Sequence, residues 1–176
     1  MPGFGSILSE DDRWALVDYI HAWNLGRQIA NTGRWSPPMA APSMPLRCAD
    51  RDADTLADLA THVVVVDVEP DPATEPAPFP WSTEHSEFIM IRLPRGTAEK
   101  PRTGECVAAS DEAWGAWQLL SGVAADRFGG FRGIVDGQGW LRAWLPPGTG
   151  LVQVLAAIRD ARDHPIVSVA RLAHHH

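Results

Sequence analysis

Apolar positions recur at three- and four-residue spacing near the start of the chain. Trp14, Val17 and Ile20, with Leu16, Tyr19 and Trp23, form a wide apolar face, so residues 6–30 read as one helix. Ser9 is its expected N-cap, and Glu10, Asp11 and Asp12 place negative charge on the first turn, where the helix dipole favours it. Gly26 reads as the stop, with Arg27–Ala30 adding a last turn. Residues 31–47 carry four prolines and no period, which predicts an extended tether. Val63–Val68 is a β-branched run, the pattern of a strand covered on both faces. Glu69–Trp81 then holds five prolines and three carboxylates, which exclude a helix through residue 80. A short helix is expected to start at Ser82. Phe88–Leu93 is the next strand, followed by a polar loop from Pro94 to Gly104 with Arg95, Lys100 and Arg102.

From Glu105 to Pro165 the pattern is strand, helix, strand, turn, strand, helix. Cys106–Ala109 is short and extended. Ser110 caps a helix over Asp111–Leu120 whose buried side is Trp114, Trp117, Leu119 and Leu120. Phe131–Val135 alternates, Asp136-Gly-Gln-Gly139 is a turn, and Trp140–Leu145 returns. Leu151, Val154, Leu155 and Ile158 define a closing amphipathic helix that ends by Asp163-His-Pro165. Residues 166–176 are a tail with strand character, and its three terminal histidines are either native or part of an expression tag.

The chain has 176 residues, enough for one domain plus an appendage. Its net charge of −7, with no Lys/Arg run, argues against a nucleic-acid partner, which would need clustered cations. No apolar run approaches the roughly 20 residues that span a bilayer. The first residues lack the basic and apolar regions of a signal peptide, which taken literally points to the cytoplasm. P-loop, GxGxxG and Ser-His-Asp patterns are absent, and Asp50–Asp54 lacks the glycine and terminal glutamate of a calcium loop.

Several resemblances add to this. The Glu105–Pro165 order resembles the C-terminal half of a thioredoxin-like or peroxiredoxin-like domain. Cys48 through Asp67, with its Leu56-x-x-Leu59 half-helix before the Val63–Val68 strand, resembles the opening of periplasmic thiol-reductase domains. Together they imply an α/β thioredoxin-like three-layer sandwich with a mixed central sheet over residues 48–165, preceded by a helix and a proline-rich linker. In active members a Cys-x-x-Cys follows the first central strand and a cis-proline faces it. Here those places read Glu69–Trp81 and Ala125-Asp-Arg-Phe-Gly-Gly-Phe131, with neither cysteine nor proline at the expected positions. Separately, Met1-Pro-Gly-Phe-Gly and Leu8–Ile20 resemble the end of a class I cytochrome c, where the equivalent of Met1 is the axial haem ligand. That resemblance implies that residues 1–30 are the end of a haem domain, in a longer protein whose CxxCH lies upstream. The arrangement looks like envelope proteins of the copper-resistance type. It implies an envelope setting, periplasmic or membrane-tethered, in a copper or electron-transfer context; a protein partner is expected, and haem only in a longer protein.

Candidate chemistry is sparse. Cys48 and Cys106 are the only cysteines, with no CxxC or zinc spacing. They are candidates for a disulfide, which would close a loop of roughly 59 residues and stabilise by about 3–5 kcal/mol. The other reading is two separate thiols, with Cys106 buried. As a nucleophile Cys106 needs a histidine, and His62, His85 and His164 are the candidates. Met39, Met44 and Cys48 are soft donors that copper(I) would accept, against packing of the methionines on the domain. Trp35 and Trp81 are candidates for a surface aromatic patch. The expected function is a non-catalytic binding domain. The alternatives are a thiol redox protein using Cys106 with Cys48, and a fragment of a haem or copper electron carrier.

Overall fold

A computed structural model describes residues 8–32, 35, 38–70, 88–96, 100–108 and 110–166. Expectations for Met1, for Asp71–Glu87 with Trp81, the Ser82 helix and His85, and for the end of the tail lie outside these residues.

Helix α1 (Glu10–Thr32) is capped as its sequence requires. The Asp12 N–H donates to Ser9 Oγ at 3.1 Å, and the Ser9 hydroxyl donates to the Asp12 carboxylate at 2.6 Å. Gly26 is not its stop. The helix runs straight through it, because Gly26 is where α1 lies against the next helix.

Six strands form one mixed sheet: β1 (Leu46–Cys48), β2 (Val63–Val68), β3 (Phe88–Leu93), β4 (Glu105–Ala108), β5 (Arg132–Val135) and β6 (Leu141–Leu145). Their order is β1-β4-β3-β2-β5-β6. The β2–β3 and β3–β4 pairs are parallel, and the β2–β5, β5–β6 and β1–β4 pairs are antiparallel. The valine run of β2 is central and buried on both sides, as its pattern predicts.

One face carries Val64, Val66, Val68, Ile89, Ile91, Leu93 and Cys106. Helix α2 (Asp111–Ser121) covers it through Ala113 and Trp117, and α1 packs on α2. The other face carries Val63, Val65 and Ile134, closed by Val154, Ile158 and Ala161 of α3 (Leu151–Asp163). The result is a three-layer α/β sandwich. Ser110 stands at the start of α2 with extended backbone, but its hydroxyl bonds the Glu112 carboxylate instead of capping a backbone N–H.

The second half of the expected tether is stitched into the domain. Ala41 N–H donates to Gly139 O at 2.9 Å, Leu141 N–H to Met39 O at 2.8 Å, and Leu46 N–H to Asp54 O at 2.7 Å. Pro42 and Pro45 lack donors, but between them the Met44 carbonyl accepts the Leu56 N–H at 3.2 Å. The hairpin turn divides its glycines by role. Gly139 takes φ +85°, whereas at Gly137 a Cβ would come within 3.1 Å of the Thr61 backbone.

Candidate functional site

In a sheet with parallel strands, ligand and redox sites form at the carboxyl ends of those strands. Here that end is Val68-Glu69, beside the approach Phe128–Phe131 to β5. The Gly130 N–H donates to Val68 O, and the Val68 N–H to Phe131 O, both at 2.9 Å. Glu69 N–H donates to Leu93 O at 3.0 Å. The last residues of β2 are thus held on both sides.

The side chains at this end are charged and paired. Arg92 reaches Glu69 at 2.6 Å and Glu105 at 3.0 Å, and the Glu105 carboxylate also accepts the Arg102 N–H at 2.9 Å. Burial pulls the Arg92 pKa down. The hydrogen bond to Glu69 and the charges of Glu105 and Glu69 outweigh it, so the net shift is upward. Across the β2–β5 pair Arg132 meets Asp67 at 2.9 Å. These are fixed ion pairs. They supply neither a nucleophile nor a poised general base.

An aromatic stack lies under the same approach. Phe128 is fully buried, edge-on to Trp114 at 4.9 Å and stacked on Trp144 at 5.5 Å. Trp144 also stacks on Phe131 at 5.6 Å and on Trp117 at 6.1 Å. Gly133 makes room for it, since a Cβ there would lie 2.7 Å from the Trp117 ring and 2.8 Å from that of Trp144. Arg95 covers Trp114 at 5.2 Å. Helical spacing identifies Trp114 and Trp117 as core. Phe128 and Gly133 carry no such periodic signal, and only the fold brings them together.

The two cysteines are together, but elsewhere. Cys48 and Cys106 are directly opposite in the antiparallel β1–β4 pair, with a Cα–Cα distance of 4.0 Å, and their sulfurs are bonded. This pair sits at the sheet edge, separated from β2 by β3. Cys106 is wholly buried. It stands level with Val66 through Ile91, four residues along and two strands across from His62. That separation is about 16 Å, beyond any proton transfer. His164 is at the end of α3, on the opposite layer, 3.2 Å from Asp160. The structure therefore assembles no Cys–His pair among the described residues.

Met44 is 1% exposed and Met39 is also buried, both in the apolar cluster under α2. With Cys48 bonded to Cys106, the three soft donors do not converge on an open site. Trp35 is half-buried against the same cluster. A cleft of about 330 Å³ lies at the other end of the sheet, between Ala41, Leu56, His62 and Asp136. Asp136 is its buried charge, and it is spent on its own surroundings. It accepts the N–H groups of Gln138, Trp140 and Ile166 at 3.0 Å each and pairs with Arg142 at 3.3 Å. No helix among the described residues is long and apolar enough to cross a membrane.

The strand order decides the fold. A parallel pair (β3, β2) is extended by an antiparallel hairpin (β5, β6), with helices on both faces. The fold is thioredoxin-like. Solved structures similar to this chain include a thioredoxin-like superfamily protein, 18% identical with a TM-score of 0.48, covering 70% of this chain and 96% of that one. Trgpx in its apo form is 14% identical with a TM-score of 0.48, covering 72% and 97%. A candidate electron transfer protein from Aquifex aeolicus VF5 is 11% identical with a TM-score of 0.45, covering 70% and 97%. No protein-family model matches the chain, and no curated protein matches it.

Proposed function

We propose that this chain is a non-catalytic thioredoxin-like interaction domain of the bacterial cell envelope that works through a protein partner in a copper or electron-transfer setting. One observation carries the reading. The chain has two cysteines, and each is the other's partner across β1–β4. The carboxyl end of β2, where this fold places its reactive thiol, keeps ion pairs and an aromatic stack instead. With Cys106 wholly buried, the bonded pair offers an incoming thiolate no open sulfur at that residue, which supports a binding role over thiol exchange.

The same bond supports an oxidising compartment, since disulfides persist in such surroundings and are rare in the cytosol. The electron-transfer setting rests on the resemblance of residues 1–20 to the end of a class I cytochrome c. The test is reduction of insulin disulfides by dithiothreitol with this protein as catalyst. The expected rate is the uncatalysed one. Turnover above that rate, lost in Cys106→Ser, would overturn the proposal and favour a thiol redox protein.

A further inference from the structure

Helix α1 presents two different sides. Ala22, Leu25, Gly26 and Ile29 face the domain, and Gly26 and Ile29 are buried there. Turned by about 120° around the axis, at 100° per residue, Asp12, Leu16, Tyr19, Ile20, Trp23 and Arg27 form a second stripe. Its apolar members are 49%, 55%, 47% and 45% exposed in the order Leu16, Tyr19, Ile20, Trp23. A large apolar stripe bordered by charge marks an association surface.

The order of residues in the stripe indicates what covers it. It has a carboxylate at one end, a guanidinium at the other, and apolar residues between. Arg27 lies over the Trp23 ring at 5.0 Å, so its charge is directed along the stripe. Place a two-fold axis between residues 19 and 20, and set a second α1 antiparallel to the first. Leu16 then meets Trp23 of the second copy, Tyr19 meets Ile20, and Asp12 meets Arg27. Each of these four apolar side chains then has an apolar partner and each charge its opposite, while Trp14 and Val17, also exposed, lie outside the stripe. A parallel pair would instead set Asp12 on Asp12 and Arg27 on Arg27.

We infer that the exposed stripe of α1 is covered by the same stripe of a second copy of this chain, in an isologous antiparallel helix pair. The inference extends the reading of the chain as an interaction module by naming one partner. It can fail without touching that reading, since its variants lie on α1 and leave the cysteines and β2 alone.

Sedimentation equilibrium of the intact chain tests it, with far-UV circular dichroism confirming the fold of each variant. The expected mass at tens of micromolar is twice 19.2 kDa. Ile20→Glu should be monomeric at every concentration. Asp12→Arg and Arg27→Asp should each weaken association about tenfold, because each change acts twice across a two-fold axis. The two together should recover the wild-type constant to within a few fold. A monomer throughout would overturn the inference, as when a haem domain or a lipid surface covers the stripe instead. So would a dimer indifferent to Ile20→Glu, or a double exchange that recovers nothing.

Discussion

Replacing Gly26 with alanine separates two effects of opposite sign. In an isolated helix the change is favourable by about 1 kcal/mol, since glycine is the poorer helix former. In this protein the added Cβ would lie 2.2 Å from Leu119 O and 2.9 Å from Gly122 N. Both atoms belong to the end of α2 and neither is a flexible side chain. An ordinary carbon–oxygen contact needs about 3.4 Å, so α1 must withdraw by roughly 1 Å. Overpacking of this kind costs about 1–3 kcal/mol. If α1 lifts off, Ile29, 5% exposed in the packed state, returns to water at a cost of about 1.5–3 kcal/mol. Packing therefore offsets or outweighs propensity, with a net loss of up to about 2 kcal/mol. Urea denaturation gives the total, and hydrogen exchange along residues 22–32 should show where it falls. A Gly26→Ala protein that is more stable, with α1 amides as protected as before, would refute the packing described here.

Three further changes test other parts of the fold. Cys48→Ser with Cys106→Ser opens a 58-residue separation and should cost about 4 kcal/mol, read as a lower urea midpoint. Asp136→Ala leaves three N–H groups without their acceptor, while Arg142 keeps Asp160 and the His164 carbonyl, and should cost about 3–5 kcal/mol by thermal melting. Gly133→Val drives a branched side chain into the Trp117 and Trp144 rings, and should destabilise by at least about 2 kcal/mol with a changed tryptophan emission.

Much of the sheet and its helices is legible in the sequence because local pattern and burial agree there. The β2 valines, the Phe88–Leu93 strand, the Asp136–Gly139 turn and the Leu151–Ile158 spacing each signal an element that the fold uses in that form. Gly26 and residues 39–48 are less legible for a shared reason. A glycine in a helix and a proline-rich stretch look like endings when only local propensity is weighed, yet both are contact points whose partners are distant in sequence: Leu119 and Gly122 for Gly26, Gly139 for Ala41. Phe128 and Gly133 are hidden likewise, since the stack they serve comes from three separate elements. Two features are visible from residue type alone: the lack of any cysteine from Glu69 to Trp81 and the count of two cysteines. That those cysteines face each other depends on the register of β1 against β4, which no periodicity encodes.

The central claim is that Cys48 and Cys106 are bonded to each other and are not two separate thiols. Thiol titration of protein purified without reductant and unfolded in guanidinium tests it most directly, because unfolding exposes buried thiols but does not break a disulfide. The account predicts no free thiol per chain before reduction and two after it. Two free thiols before reduction would contradict it.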